Sequence, residues 1–190
     1  KMSPIGFYIN ATKKYDEGLK HAETIGKITH LDPRSIVSGV LQAHAIHSVL
    51  NNCSRKEFVS SLTEICRKWE SPLEEKFTWH EQGNLLSRIE WIEKNKDANP
   101  EIAYEVIGCS SAVYQSYPFA LFMFQKYWNN PIDGLIELVN FGGDCDTTGA
   151  MYGSLAGAKH GDVFPEHLKK GLNNIEHLIT IGSKIDEKFK

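Results

Sequence analysis

Helix-start punctuation recurs along this chain, while the alternating pattern of strands is scarce. Asp32-Pro33 opens a long apolar stretch that runs from Ser35 to Leu50. Ser54 followed by Glu57 fits a capping box, and Phe58, Leu62, Ile65 and Trp69 then recur at helical spacing. Ser71-Pro72-Leu73-Glu74 predicts a second box, with proline at the first helical position. Asn99-Pro100 starts a helix carrying Ile102 and Val106, and Pro131 to Asn140 reads as short and amphipathic. Pro118 to Trp128 is almost wholly apolar or aromatic, which predicts a helix buried on all sides. Leu172 to Phe189 reads as a last, more solvated helix. A chain punctuated in this way is expected to fold as an all-α protein.

Composition narrows the function classes. The 190 residues suit one compact domain, 1–190, with a real core. Apolar residues make up 41% and charged residues 24%, the balance of an ordinary globular protein. The formal net charge is -3 and the lysines are spread out, so no nucleic-acid surface is expected. No apolar run approaches a membrane span, and KMSPIGFYIN lacks the apolar core of a signal peptide. Cys53, Cys66, Cys109 and Cys145 form no CxxC pair, which speaks against a disulfide framework or a zinc knuckle. A reducing, cytoplasmic setting is the expectation. Lys1 rather than Met opens the chain, as in a processed product or a fragment.

The most unusual stretch is FGGDCDTTGA, Phe141 to Ala150. Gly142-Gly143 permits a sharp turn with positive φ. Asp144 and Asp146 follow, with Thr147 in the first turn of a helix. One reading is helix capping, because carboxylates are favoured at a helix N-terminus. The other is a hard-cation site, since two carboxylates and a hydroxyl within four residues are oxygen ligands suited to Mg²⁺. Gly149, Gly153 and Gly157 recur every four residues behind them. Each mid-helix glycine costs about 1 kcal/mol against alanine, so the stripe predicts the close approach of another backbone or a ligand.

Other candidates read as structural. His44 and His47 can share one helix face, but no third ligand stands nearby, so polar breaks in a buried helix are expected rather than a metal site. His160 ends the small-residue helix, where it can pair with the helix dipole. Cys145 is a spacer between two carboxylates rather than a nucleophile. Tyr114, Tyr117, Phe119, Phe122 and Phe124 read as core, with one of them available to stack on a base. Trp69, Trp79, Trp91 and Trp128 read as core or groove residues.

GGDCDTTGAMYGSLAGAKHG resembles the C-terminal signature of the ADP-ribosylglycohydrolase family, the group that includes dinitrogenase reductase-activating glycohydrolase. That signature is GGD-x-DT followed by a small-residue helix ending in G-A-x-x-G. Upstream, KITHLDPRSIVSGVLQAHAIHSVL is similar to the family's T-H-x-x-P-x-A segment, and GCSSAVYQSYPFALFMF to its S-x-P-x-A-L segment. KMSPIGFY is similar to the stretch after the family's Gly-rich loop. The likeness covers most of the chain in the family's order.

The resemblance implies a compact helical bundle around two Mg²⁺ (or Mn²⁺) ions. It implies a Mg²⁺-dependent hydrolase that removes ADP-ribose from an ADP-ribosylated protein side chain or small molecule. On it, Asp144, Asp146 and Thr147 are metal ligands, and Asp144 and Asp146 serve catalysis. His30 lines the ADP-ribose pocket, Ser110 and Ser111 fall at its adenosine side, and Gly142 and Gly143 belong to the substrate-binding turn. The family's first metal motif, Thr-Asp-Asp-Thr/Ser, its Gly-rich loop and its acidic loop have no counterpart in this sequence. Lys1 stands where the family usually has arginine, and Gln115 where it often has an acid. The chain thus resembles the C-terminal part of such a protein, without its N-terminal helices, completed by an N-terminal segment or a separate chain. The alternatives are an inactive relative that binds ADP-ribose or serves a structural role like the lens crystallins of this fold, and a helical interaction domain whose aspartates only cap a helix.

Overall fold

A computed structural model describes residues 2–74 and 83–189. Among these residues there are eleven helices and no strand, as an all-α chain requires. In order they are α1 (Ser3–Thr12), α2 (Tyr15–Thr29), α3 (Pro33–Leu50), α4 (Arg55–Glu74), α5 (Leu85–Lys94) and α6 (Pro100–Ile107). Then come α7 (Val113–Lys126), α8 (Pro131–Asn140), α9 (Cys145–His160), α10 (Glu166–Lys169) and α11 (Ile175–Phe189).

Local chemistry sets most helix starts. Asp32 accepts from the backbone N–H of Arg34 at 2.8 Å, and Pro33 occupies the first turn of α3. Before α4, Ser54 Oγ accepts from Glu57 N–H at 3.2 Å while Glu57 Oε2 accepts from Ser54 N–H at 2.8 Å, a reciprocal capping box. Asn84 and Asn99 cap α5 and α6. The second expected box does not open a helix. Ser71–Glu74 form the end of α4, with Pro72 inside it. Upstream, Phe58, Leu62, Cys66 and Glu70 are buried, and this continuous packing carries the helix through the hydrogen bond that proline removes.

Two layers of packing place the functional residues. The larger core joins α3, α4, α5, α7 and α9 through Val37, Leu41, Phe58, Leu62, Ile89, Phe122 and Leu155, among others. A smaller cluster of Met2, Ile9, Leu19, Ala22, Val40 and Ala43 seats α1 and α2 on the opposite side of α3. Hence α3 is the central helix, with fifteen of its eighteen residues buried. In α7 the run from Ser116 to Gln125 is buried; it begins before the expected stretch and stops short of its end, since α7 ends at Lys126 and Tyr127 and Trp128 are only partly buried. Tyr117, Phe119, Phe122 and Phe124 are core residues, and Trp69, Trp91 and Trp128 are partly buried against it. Trp79 and Lys1 lie outside the described residues. The last helix begins at Ile175, later than the sequence pattern suggests, and leaves Leu178, Ile179, Ile181 and Ile185 exposed. No helix among the described residues is long and apolar enough to cross a membrane.

Candidate functional site

The N-terminus of α9 is set by backbone contacts rather than by a capping side chain. Gly142 and Gly143 both take positive φ, 78° and 67°. The chain then reverses, and the Asp144 N–H donates to the carbonyl of Cys109 at 2.9 Å. This bond ties the start of α9 to the loop before α7. Asp144 occupies the N-cap position, yet its side chain caps nothing. Its carbonyl accepts from Thr148 N–H and Thr148 Oγ1, each at 3.0 Å. The Asp144 carboxyl instead meets Asp146. That side-chain hydrogen bond, with a further one from Thr147 N–H at 2.8 Å, holds the Asp146 carboxyl below the usual carboxylate range.

A cavity of about 860 Å³ lies between the C-terminal end of α2 and helices α3, α7 and α9. Asp144, Asp146 and Thr147 line it from α9, His30 from the end of α2, and Ser111 from the loop before α7. So five residues from three segments far apart in sequence share one cavity. His30 is exposed, with its Nδ1 2.9 Å from Thr29 Oγ1. Gly142, Gly143 and Ser110 do not line the cavity. The two glycines act behind it by shaping the turn, and the Ser110 hydroxyl accepts from Ala112 N–H at 3.2 Å.

Further lining residues come from α3 and α9. Ser35, Ser38, Gly39 and Gln42 form a small and polar stripe on α3, and Thr147, Ala150, Met151 and Ser154 form one on α9. Both stripes follow the i, i+3, i+4, i+7 spacing of one helix face, a signal visible in the sequence of otherwise apolar helices. Arg34 is buried beside the cavity, with its guanidinium 2.8 Å from Asp32 and 4.5 Å above the Tyr114 ring. The Arg34 hydrogen bond keeps the Asp32 carboxyl below its usual range. Asp32 is therefore committed to a cation and a helix cap. Arg88 lies 4.9 Å from the same Tyr114 ring, so this tyrosine is a platform for two guanidinium groups.

Three expectations for neighbouring residues resolve as follows. His44 is buried and hydrogen-bonded, with Nδ1 2.7 Å from Tyr15 Oη and Nε2 2.9 Å from Ser61 Oγ. Among the described residues no group of three His, Cys, Asp or Glu side chains is placed to hold a metal ion. His160 ends α9 with its Nε2 3.0 Å from the Trp128 carbonyl oxygen; burial and the neighbouring Lys159 push its pKa down, while that hydrogen bond pulls it up. Among the described residues the glycine stripe brings no close backbone. A Cβ on Gly149 would make ordinary contact with Val139 and Leu135, and one on Gly153 or Gly157 would meet open space. All four cysteines are free thiols.

The family profile of ADP-ribosylglycohydrolase matches residues 1–190. This chain belongs to the ADP-ribosylglycohydrolase family. It is 29% identical to an uncharacterized protein of Archaeoglobus fulgidus, over 98% of this chain and 56% of that protein. It is 26% identical to the uncharacterized protein YegU of Escherichia coli, over 94% of this chain and 54% of the relative. It is 24% identical to the ADP-ribosylhydrolase ARH3 of Homo sapiens, over 90% of this chain and 52% of that protein. The chain thus spans about half the length of the curated relatives it matches.

Proposed function

We propose that this ADP-ribosylglycohydrolase domain binds and hydrolyses an ADP-ribosyl group in the cavity between α3, α7 and α9, with Mg²⁺ or Mn²⁺ as its cation. What carries the reading is the meeting of Asp144, Asp146 and Thr147 with His30 in one cavity. The donor set suits a hard cation, with two carboxylates and a hydroxyl on adjacent turns of chain and room for water to complete the coordination. The Asp144 carboxyl is not spent on a cap, and the Asp146 carboxyl is held below the usual range.

Asp144, Asp146 and Thr147 would hold the ion, which supplies Lewis acidity to the ribose hydroxyls and to a water. The chain's own residues do the rest. The N-terminus of α9 favours the negative charge gathered there. His30 and Ser111 offer polar contacts to the nucleotide along the cavity wall. Carboxylates at the reacting end are suited to move a proton as the glycosidic bond breaks. A further set of oxygen ligands comes from a segment outside these 190 residues or from a separate chain, in keeping with the half-length match to relatives.

The test is release of ADP-ribose from an ADP-ribosylated protein or small molecule, assayed with Mg²⁺ and with EDTA. Release should need the cation and fall about a hundredfold or more in Asp144→Ala and Asp146→Ala. Release that both substitutions leave intact would sink the reading. Mg²⁺-dependent binding of ADP-ribose without turnover would favour a binding module instead.

A further inference from the structure

The wall that α3 and α9 give the cavity continues past the acidic residues to a bridge between Gln42 and Ser154. Gln42 Nε2 donates to Ser154 Oγ at 2.8 Å. Ser154 in turn donates to the Met151 carbonyl at 2.8 Å. With that proton committed, Ser154 can only accept from Gln42, so the amide must present its NH₂ to the serine. The carbonyl end of the amide is then turned away from Ser154. Gln42 Oε1 has no hydrogen-bond partner among the described residues, although Gln42 is only 7% exposed.

An unpaired buried acceptor is costly, and each case calls for a physical explanation. Here the cavity supplies one. A carboxamide oxygen only accepts, so the missing partner is a donor such as a hydroxyl. The terminal torsion of glutamine is soft, so the amide can tip toward an arriving donor at little cost. Ser154 lies seven residues beyond Thr147, roughly 10 Å along α9 at the helical rise. Gln42 therefore reads a different part of the ligand from the part held at Asp144 and Thr147. Of the two other unpaired buried atoms, Trp69 Nε1 belongs to a residue that does not line the cavity; Tyr117 does line it, with its hydroxyl near Cys66 on α4.

We infer that Gln42 is a ligand-binding, specificity-determining residue whose Oε1 accepts a hydrogen bond from a sugar hydroxyl of the molecule held in the cavity. The choice of sugar rests on the ADP-ribose reading proposed above. The experiment is calorimetric titration of ADP-ribose, in Mg²⁺ buffer, into the 190-residue chain and into Gln42→Met, with the melting temperature of each free protein measured alongside. Binding should weaken about tenfold in Gln42→Met. Its melting temperature should equal or exceed that of the parent, because methionine removes the unpaired acceptor along with one hydrogen bond. Equal affinities for the two proteins would overturn the inference and leave the ADP-ribose reading standing. Absence of binding to either protein would defeat the ADP-ribose reading, and the melting temperatures then decide. An unchanged or raised value supports Gln42 as an acceptor for another hydroxyl-bearing ligand. A lowered value shows a carboxamide satisfied within the fold and overturns the inference.

Discussion

The backbone N–H of Asp144 donates to the carbonyl oxygen of Cys109 at 2.9 Å, and the same oxygen lies where a side chain on Gly143 would project. The acidic end of α9 is thus held against the loop that enters α7 by main-chain atoms. The acidic pair keeps its position without spending the Asp144 side chain on a helix cap.

Gly143 and Gly142 should respond differently to alanine. Both hold positive φ, which costs a non-glycine residue about 1–2 kcal/mol. Only at Gly143 does the new Cβ also overlap the Cys109 backbone; at Gly142 it meets open space. Gly143→Ala should lose about 3 kcal/mol or more and Gly142→Ala about 1 kcal/mol. Chemical denaturation of the two variants checks this, and equal losses would refute the close approach.

Gly153 and Gly157 should tolerate alanine and gain from it. Both lie within α9, and nothing stands within 4 Å of a Cβ at either. Each change should add about 0.5–1 kcal/mol by reducing the freedom of the unfolded chain. A drop in melting temperature would mean that another element packs against this face.

Glu70 carries a buried duty and does not line the cavity. It is fully buried, and its two carboxylate oxygens accept from Leu85 N–H at 2.8 Å and Leu86 N–H at 2.7 Å, anchoring the start of α5. Its charge also acts on Arg34 and Arg88, the two guanidiniums at Tyr114. Glu70→Ala should cost about 3–5 kcal/mol, because it strands two buried donors and part of the charge balance. A loss under about 1 kcal/mol in urea unfolding would contradict this account.

His44 sets an acid limit on stability. Ser61 donates to the Phe58 carbonyl, so it accepts from His44 Nε2–H, and Nδ1 takes the Tyr15 hydroxyl proton. Burial, with His47 nearby, pushes the His44 pKa down to about 4 from an ordinary 6.5. The unfolded chain therefore binds more protons between those values. Stability is fully present above about pH 6.5 and is lost as pH falls toward 4, by about 3 kcal/mol in all. His47, also lowered by burial, adds in the same direction. His44→Gln should flatten the slope of unfolding free energy against pH in this window; an unchanged slope would assign it to other groups.

Much of this protein is written in short stretches. Asp32-Pro33, Ser54 with Glu57, and Asn99-Pro100 open the helices their chemistry predicts, because a cap is settled within one turn. GGDCDTTGA marks the turn and the acidic first turn of α9 for the same reason. Ser71-Pro72 misleads because the packing of α4 outweighs a local start signal. Of the two partners the glycine stripe predicts, no close backbone is found among the described residues, because spacing describes one helix and says nothing of which element faces it.

The sequence by itself determined the all-α class, the capped starts of α3, α4 and α6, the family and the identity of the acidic motif, all of which depend on neighbours a few residues apart. The tertiary structure alone decided that His30 and Ser111 line one cavity with Asp144 and Asp146, that Asp32 is committed to Arg34, and that Gln42 meets Ser154 across 112 positions of chain. Such contacts arise when apolar faces of α3, α7 and α9 are buried together. Burial fixes the polar residues beside those faces in place, and no local pattern encodes which distant group each will meet.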